Sequence, residues 1–443
     1  MTNHLLPKVC RFMVSNFRSI GEPGVNLELK PLTLLFGPQG AGKSNILEAF
    51  WRLAKLHEER AGSYTTPDIH RLVKRNDDIH KGDLRRILRI GICVTVNDNK
   101  VGEWVIEFRR GDEEIKRITS QEVILDNKTI MKIGVIPTNH HSYKPLILFP
   151  EGYEDQPLNY YPSELRPDVF TIVKPDIPQK LKVLSETAQR ITYTIVRTLT
   201  GRHVTKVGFL RSLRGLVDEK VETSKEVEYE GEVYPIEPDG RNLIHYLSFI
   251  RESPRYTKHF SFIDKWSAEF GLADLRAGFR GAHTLSADFR DKDLNVTPNL
   301  AYASHGARQI LCIIAQLFSP TQEIILIEEP EISLHPESVA KLPLMFLDAI
   351  RMGKQIIATT HSPILPLALS RMVKKAKEER LCENPNELIA VYEVEKDREG
   401  TKAKRLMLDE RGYIRGYIES FYKIERELLR EWEEELPEAL SKE

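Results

Sequence analysis

The chain has 443 residues, of which 41% are hydrophobic and 29% are charged. This composition is typical of a folded globular protein and excludes an intrinsically disordered one. The 64 lysines and arginines nearly balance the 65 aspartates and glutamates, so the formal net charge is −1. A balanced charge excludes a protein that holds nucleic acid or anionic membrane through its overall field alone, but it leaves room for a local basic patch.

The cysteines and the apolar runs indicate where such a chain works. Four widely spaced cysteines are present, namely Cys10, Cys93, Cys312 and Cys382. Few thiols without a pattern are typical of a reducing compartment rather than of a disulfide framework. The first residues contain no apolar stretch of signal-peptide length, and the most apolar runs are far shorter than the roughly 20 residues of a membrane span. We therefore expect a soluble, cytoplasmic protein without a membrane partner.

The first half of the chain alternates strand and helix patterns. Strands are predicted at 9–14, 25–29, 32–36, 90–96, 104–108 and 123–125. Helical spacing of apolar residues predicts helices at 44–56, 181–199 and 243–270. The proline-rich stretch 137–180 is expected to be irregular, and the acidic stretch 218–240 to be a hairpin or a loop.

In the second half, strands and helices alternate more regularly. Strands are predicted at 283–300, 323–328 and 355–359, and helices at 306–318 and 336–352. A charged tail at 414–436 is expected to be a solvated helix. The strand–helix–strand order between 323 and 359 is typical of neighbouring parallel strands.

Residues Gly37 to Ser44 match the P-loop pattern GxxxxGK[ST] between a strand and a helix. Glycines let the loop amides approach phosphate oxygens closely, and the helix N-terminus adds positive potential. Lys43 is suited to reach the β- and γ-phosphates of ATP, and the Ser44 hydroxyl to bind Mg²⁺. The predicted nucleotide-binding residues in this loop are Gly37, Gln39, Gly40, Ala41, Gly42, Lys43 and Ser44.

Residues 324–331 read IILIEEPE, which is a buried strand that ends in carboxylates. Ligands of open α/β sheets bind at the carboxyl ends of the strands, so these acids should face the P-loop. We expect Glu328 to hold Mg²⁺ through water and Glu329 to polarise the attacking water. The alternative is a strand that runs into an ordinary acidic loop.

Two further segments add candidates. His361, in TTHSP at the end of the next strand, is suited to reach the γ-phosphate, although a single histidine at a strand end is usually an ordinary polar residue. Ser304 and Gly306 begin the helix before the acidic strand, and such a helix start attracts anions. A second anion site suggests contact with the ATP of another copy; a simple N-cap by Ser304 is the better interpretation from these residues alone.

The segments GPQGAGKSN, SHGARQ, IEEPEISLHP and TTHSP together resemble the ABC-type ATPase head of the RecF, SMC and overcoming-lysogenization-defect groups. The resemblance covers about 1–56 and 298–365. It implies that Asn45 joins the nucleotide site, that Glu329 is the catalytic glutamate and that His361 is the switch histidine. It also implies that Ser304 and Gly306 contact the γ-phosphate in trans, with residues 331–336 as the D-loop.

The sequence departs from that family at three points. SHGARQ replaces the usual LSGGQ signature, Glu328 stands where aspartate is more common, and no glutamine is an evident Q-loop residue. Gln121 and Gln156 are weak candidates for that role. Arg18 and the segment 209–214 resemble family positions near the nucleotide, but we interpret their arginines as surface residues.

The predicted fold is α/β: a P-loop NTPase with an ABC-ATPase-like head, a mixed β-sheet lobe and an inserted, largely helical region. The head combines 1–136 with 298–400, the insertion is 137–297, and 401–443 is a charged tail. The insertion lacks the sustained heptads of an SMC coiled coil. About eighty residues after His361 are too few for a Toprim domain, so no nuclease activity is expected.

The predicted function is an ATPase switch that dimerises head to head around two ATP molecules with Mg²⁺ and acts on DNA or RNA in repair or antiphage defence. The alternative is a regulatory ATPase scaffold that controls a separate effector protein, such as a nuclease or toxin. A transporter ATPase is disfavoured by the unusual signature, and a nucleoside kinase would not explain SHGARQ together with TTHSP. Nothing in the sequence decides between the first two.

Overall fold

The computed structural model describes residues 8–55, 75–83, 85–96, 100–110, 116–139, 142–148, 156–157, 179–200, 204–215, 217–222, 227–229, 231–281, 283–291, 294–415, 427 and 430–431. The first elements are β1 (Val9–Ser15), β2 (Val25–Glu28), β3 (Leu32–Phe36), α1 (Lys43–Lys55), β4 (Leu88–Val96), β5 (Lys100–Arg110), β6 (Lys116–Leu125), β7 (Lys128–Asn139), β8 (Ser142–Leu148), β9 (Gln156–Pro157), α2 (Gln179–Leu199) and β10 (Val207–Leu210).

The remaining elements are β11 (Val221–Glu222), β12 (Glu228–Tyr229), β13 (Glu232–Val233), α3 (Leu243–Glu252), α4 (Thr257–Glu269), β14 (Ala273–Gly281), β15 (Thr284–Arg290), α5 (His305–Leu317), β16 (Ile324–Glu328), α6 (Pro336–Val339), α7 (Leu342–Arg351), β17 (Gln355–Thr360), α8 (Ile364–Glu378), α9 (Pro385–Leu388), β18 (Ile389–Lys396) and β19 (Thr401–Leu406). The predicted α/β fold class is confirmed.

A six-stranded sheet has the order β10-β16-β17-β3-β18-β19. Its first five strands are parallel, and β19 is antiparallel to β18. Strands β3, β16 and β17 are buried along their whole length because apolar residues cover both faces. In β16, Ile325 packs into the core that contains α5 and α7, whereas Leu326 packs into the core that contains α1. Burial on both faces explains the uninterrupted apolar runs in the sequence.

The order of this sheet brings the motifs together. Strand β17 lies between β16 and β3, and all three run in the same direction. The P-loop follows β3, the acidic motif follows β16, and His361 follows β17. Because the carboxyl ends of parallel strands share one edge, three motifs far apart in sequence become neighbours there.

An eight-stranded antiparallel sheet has the order β2-β1-β4-β5-β6-β7-β8-β9. One face packs with α1 and α2 in a shared core. Strands β8 and β9 fall in the stretch 137–180, for which irregular structure was expected; residues 158–178 lie outside the described part of the chain. The local density of prolines did not predict β8, because this strand forms by pairing with β7 rather than through its own composition.

Two predicted helices are each divided in the structure. The helix expected at 243–270 is interrupted between α3 and α4, where Ser253 is extended ahead of Pro254. Proline has no N–H and disfavours helical geometry in the preceding residue, which accounts for the break. The helix expected at 336–352 divides into α6 and α7, with Pro343 in the first turn of α7.

The predicted segment boundaries also differ from the strand pairing. Strand β10 lies within the expected insertion 137–297, yet it pairs with β16 in the central sheet. Strand β19, expected in the charged tail, forms the edge of that sheet. Most of the tail helix predicted at 414–436 lies outside the described residues. Among the helices that the structure describes, none has the length and apolarity to cross a membrane.

Candidate nucleotide-binding site

The P-loop joins β3 to α1, and its lysine is tied back onto the loop. Lys43 Nζ donates hydrogen bonds to the carbonyl oxygens of Gly37 and Pro38, at 2.8 and 2.9 Å. Only 4% of Lys43 is exposed. Burial lowers the pKa of Lys43 to about 8, although the charges of Glu329 and Glu331 oppose this shift. A buried cation in a loop at a helix N-terminus is suited to bind phosphate.

Side chains from distant parts of the chain brace the same loop. Gly42 has a φ of +97°, and a Cβ there would lie 2.1 Å from Thr401 Oγ1, so only glycine fits. The Thr401 hydroxyl donates to the carbonyl of Ala41 at 2.9 Å and lies 2.8 Å from Ser19 Oγ. Asn45 Nδ2 donates to that same Ser19 oxygen at 2.7 Å. Strand β19 therefore supports the loop, whereas Gln39 and Gly40 are exposed at its tip.

The two predicted magnesium ligands meet at the end of β16. Glu328 Oε2 accepts a hydrogen bond from the backbone N–H of Ser212 at 3.2 Å, and the neighbouring Ser44 hydroxyl also acts to lower the pKa of Glu328. Burial raises the pKa of Glu328, and these two groups limit the rise. Hydroxyl and carboxylate oxygens are ligands that Mg²⁺ prefers, so this pair fits the ion that the motifs imply.

The acidic motif and the histidine converge on the P-loop lysine. Glu329 Oε1 lies 3.3 Å from His361 Nε2, and that nitrogen lies 3.2 Å from Lys43 Nζ. Glu329 has a φ of +44°, an unusual conformation for a residue with a side chain. Its N–H donates to the Thr359 carbonyl at 3.1 Å, which fixes the turn against β17. Three residues predicted from three separate motifs thus occupy one cluster.

Glu331 holds the histidine loop in place, a role that the sequence did not suggest. Its Oε1 accepts hydrogen bonds from the Thr360 hydroxyl at 2.6 Å and from the backbone N–H groups of His361 and Ser362 at 2.9 and 3.2 Å. Its Oε2 is buried and has no hydrogen-bond partner among the residues that the structure describes. The acid two residues after Glu329 therefore connects the turn after β16 to the loop after β17.

Arg214 holds the same turn from the opposite side. The interpretation of this residue as a surface arginine is wrong, because only 1% of it is exposed. Its guanidinium donates to the carbonyl oxygens of Glu328 at 2.7 Å and Glu329 at 3.0 Å, and to that of Arg211 at 2.6 Å. Burial lowers the pKa of Arg214 to about 10. Sequence patterns did not identify this role because the carbonyl groups of Glu328 and Glu329 are more than a hundred residues away in sequence.

Arg18 belongs to a charged cluster behind the P-loop helix. Its Nε donates to Asp78 Oδ1 at 2.9 Å, and Arg52 Nη1 donates to Asp78 Oδ2 at 2.7 Å. Arg52 also pairs with Glu48 at 2.9 Å, and both lie in α1. Arg18 Nη1 approaches Asn45 Oδ1 at 3.4 Å. Arg18 is thus partly exposed, but it is a link between Asp78 and the residue after Ser44 rather than a free surface charge.

This cluster predicts an acid-sensitive contribution to stability. Burial alone would raise the pKa of Asp78, but hydrogen bonds from Arg52 and Arg18 lower it from 3.8 to about 2. A lowered folded-state pKa stabilises the protein above pH 4, and this stabilisation is lost as the pH falls toward 2. Between pH 5 and pH 3 the loss from Asp78 should be about 1 kcal/mol. Urea unfolding of the wild type and of Asp78→Asn at both pH values measures it, and equal pH dependence in the two proteins would contradict it.

Ser304 and Gly306 lie at the start of α5. The Ser304 hydroxyl caps the helix by accepting from the N–H of Ala307 at 3.2 Å. Gly306 packs so closely on the D-loop that a Cβ would lie 2.2 Å from the carbonyl oxygen of Ser333. Ser333 also contacts His305 at 3.2 Å. These contacts connect the helix start to the D-loop of the same chain rather than to the P-loop.

The weak Q-loop candidates differ in what the structure describes. Gln121 is fully buried in β6, where it lies opposite Ile106 of β5 and Ile133 of β7. Gln156 is part of β9, and its side chain lies outside what the structure describes. The position of Gln121 inside the antiparallel sheet gives no support to a Q-loop role.

The fold and the site define a P-loop ATPase, and family comparisons agree with this class. Residues 204–368 match the family described as "AAA domain, putative AbiEii toxin, Type IV TA system", and residues 11–135 match a second "AAA domain" family. These two segments are thus similar to AAA-type ATPase domains, a class that binds and hydrolyses nucleotide and usually uses Mg²⁺. The predicted resemblance is confirmed at the level of an AAA-type ATPase. No curated protein sequence matches the chain.

Solved structures include distant likenesses. The SMC head domain from Thermotoga maritima is 9% identical, with a TM-score of 0.43 over 91% of this chain and 100% of that one. An Smc head bound to the C-winged helix domain of ScpA is 11% identical, with a TM-score of 0.45 over 91% and 98%. An Smc head with an extended coiled coil, bound to the C-terminal domain of ScpA derived from Pyrococcus furiosus, is 12% identical, with a TM-score of 0.45 over 96% and 100%. Such low scores carry no functional argument.

Proposed function

We propose that two copies of this chain close head to head around two ATP molecules with Mg²⁺, hydrolyse them and then separate, and that this cycle acts on nucleic acid in repair or antiphage defence. The observation that carries the proposal is the cluster of Lys43, Glu329 and His361, in which Nζ–Nε2 and Oε1–Nε2 distances are 3.2 and 3.3 Å. A cation suits the binding of phosphate and a carboxylate suits the positioning of the attacking water, so this cluster at the carboxyl ends of neighbouring strands favours phosphoryl transfer to water.

Each residue has a separate role in this mechanism. Lys43 and the P-loop amides bind the β- and γ-phosphates, and Ser44 and Glu328 hold Mg²⁺, which offsets phosphate charge when bound. The Glu329 carboxylate orients and polarises the water that attacks the γ-phosphorus. His361 contacts the γ-phosphate, and Glu331 keeps the histidine loop in position for that contact.

Dimerisation is proposed because the start of α5, which carries the SHGARQ segment, is exposed and contacts the D-loop of its own chain rather than the P-loop. Ser304 and His305 are exposed, whereas Gly306 is buried against Ser333. The N-terminus of α5 is the positive end of the helix dipole, which attracts an anion. Contact between this turn and the ATP of a second copy would complete each site from two chains.

The charge of the exposed surface bears on which partner the protein binds. Exposed basic residues occur at 81–89, but Arg85 is paired with Asp83 at 3.0 Å, so part of that charge is neutralised. The matched family description names a toxin of a toxin–antitoxin system. That name favours the second candidate, a regulatory ATPase that controls a separate toxin or nuclease without contacting nucleic acid itself.

Two variants test the proposal. ATP hydrolysis and ATP binding are measured for Ser304→Arg, and the oligomeric state of Glu329→Gln is measured in ATP and Mg²⁺, with and without duplex DNA. Ser304→Arg should abolish hydrolysis by blocking the trans contact while a single chain still binds ATP. Glu329→Gln, which should retain ATP, should migrate as a dimer, and DNA should bind it in a salt-sensitive manner. The control is Ser261→Arg, at an exposed serine on α4.

Three results would count against parts of the proposal. A Glu329→Gln protein that stays monomeric with ATP would overturn the head-to-head mechanism. Loss of ATP binding in Ser304→Arg would show that Ser304 acts within its own chain. A dimer that does not bind DNA would favour the second candidate, a regulatory ATPase that controls a separate toxin or nuclease.

A further inference from the structure

Two cysteines that are distant in sequence touch in the structure. Cys10 lies in β1 and Cys93 in β4, which are antiparallel neighbours. Their Sγ atoms are 3.0 Å apart, closer than an ordinary van der Waals contact between thiols. Wide spacing along the chain had indicated unpaired, unpatterned thiols. The two cysteines are in the reduced state here, so the pair is a thiol contact rather than a disulfide.

A β-bulge lies at this contact. Val9 pairs with Val94 and Arg11 pairs with Cys93, so β1 advances two residues while β4 advances one. Cys10 is the extra residue of the bulge, and it turns toward the partner of Arg11 instead of facing the opposite side of the sheet. Because both residues of a bulge lie opposite one residue of the partner strand, Cys10 and Arg11 both lie opposite Cys93.

The backbone holds Cys10 in this position from both sides. The carbonyl of Cys10 accepts from the N–H of Leu29 at 2.9 Å. The preceding residue, Val9, exchanges two hydrogen bonds with the side chain of Gln355, at 3.0 and 2.8 Å. The sulfur atoms are therefore brought together by the fold, and only a small side-chain movement separates them from bonding distance.

We propose that Cys10 and Cys93 are a thiol pair that small-molecule disulfides, such as oxidised glutathione, convert reversibly into an intramolecular disulfide. Cys10 is partly exposed and attacks first, whereas Cys93 is only 1% exposed and acts as the resolving thiol. The pKa of Cys10 is lowered mainly by its hydrogen bond with Cys93, which favours the attacking thiolate.

The reaction balances in two exchange steps. The Cys10 thiolate attacks one sulfur of glutathione disulfide, forms a mixed disulfide and releases one glutathione thiolate. The Cys93 thiolate then attacks the Cys10 sulfur, forms the Cys10–Cys93 bond and releases the second glutathione. The two protons from the cysteines pass to the two glutathione thiolates, so the protein is oxidised by two electrons and one glutathione disulfide is reduced.

The bond would join β1 to β4 across 83 positions of sequence. Closing a long loop restricts the unfolded chain, so oxidation should raise the thermal unfolding midpoint. The site lies at the start of β1, whereas the P-loop brace at Ser19 follows the end of that strand. This inference therefore does not depend on the proposed ATPase cycle.

The test uses the full chain, which has four cysteines. After treatment with oxidised glutathione, denaturation and alkylation should label two cysteines instead of four, and peptide mass spectrometry should find Cys10 linked to Cys93. Dithiothreitol should restore four labels. Oxidation should raise the thermal midpoint by several degrees in the wild type and in Cys382→Ser, the half-buried control thiol, but not in Cys10→Ser.

Other outcomes overturn the proposal. A stable glutathione adduct on Cys10 with Cys93 still free would show that the second exchange does not occur. Loss of labels at Cys312 or Cys382 instead, or four labels after oxidation, would show that this pair is not the reactive site. Cys10→Ser provides the check on folding, because its partly exposed side chain is easier to replace than that of Cys93.

Discussion

Replacing Glu329 by glutamine should lower the rate of ATP hydrolysis by about two to four orders of magnitude, the usual contribution of a general base. The substitution keeps the size of the side chain but removes the carboxylate that polarises water. Binding of ATP should persist, because Lys43 keeps its contacts with the Gly37 and Pro38 carbonyls. Phosphate release measures turnover, and fluorescence of a labelled ATP analogue measures affinity.

The matched control for this variant is Glu337→Gln, which removes an equal charge from a side chain that is 88% exposed. It should hydrolyse ATP at the wild-type rate. Equal loss of turnover in the two variants would mean that charge near the D-loop, rather than a positioned carboxylate, limits the reaction. Full activity in Glu329→Gln would remove this residue from the mechanism.

Replacing Arg214 by alanine should lower the free energy of unfolding by about 3 kcal/mol or more. The guanidinium supplies donors to the carbonyl oxygens of Glu328 and Glu329, and each such bond to a charged donor contributes roughly 1.5–3 kcal/mol. Turnover should fall as well, because Glu329 has a φ of +44° that the surrounding contacts must hold. Urea unfolding and phosphate release measure the two effects separately.

The comparison for this prediction comes from the same loop. The Arg211 side chain is 57% exposed and lies 3.6 Å from Glu48, so Arg211→Ala should cost less than about 1 kcal/mol. Arg214→Lys should be intermediate, because an ammonium keeps the charge but not the planar fork of donors. If Arg214→Ala were as stable as Arg211→Ala, the two carbonyls would have to find other donors.

Local patterns predicted the parts of the site whose chemistry is contained in a short segment. The P-loop is recognisable because Gly42 and Lys43 act through the backbone of their own turn. The strand β16 is recognisable because burial on both faces leaves an unbroken apolar run. Sheet order then follows from parallel strands joined by helices, so Glu329 and His361 were expected near each other.

Other contacts have no local pattern. Arg214 and Glu331 look like ordinary charged residues in the sequence. Their partners are backbone carbonyl and N–H groups, which every residue has, so no residue type at a fixed spacing marks these contacts. The predicted helices at 243–270 and 336–352 were broken where proline outweighed apolar periodicity. Strands β8 and β10 depended on partners far along the chain.

By itself, then, the sequence determined the class of protein and predicted the residues of the nucleotide site, because both depend on backbone geometry within a few positions. Only the tertiary structure decided how the site is held: Arg214 beneath Glu329, Glu331 on the histidine loop and Asp78 between two arginines. It also brought the sulfur atoms of Cys10 and Cys93 into contact. Each of these contacts joins segments distant in sequence, so its energy depends on the folded arrangement of sheets rather than on any local preference.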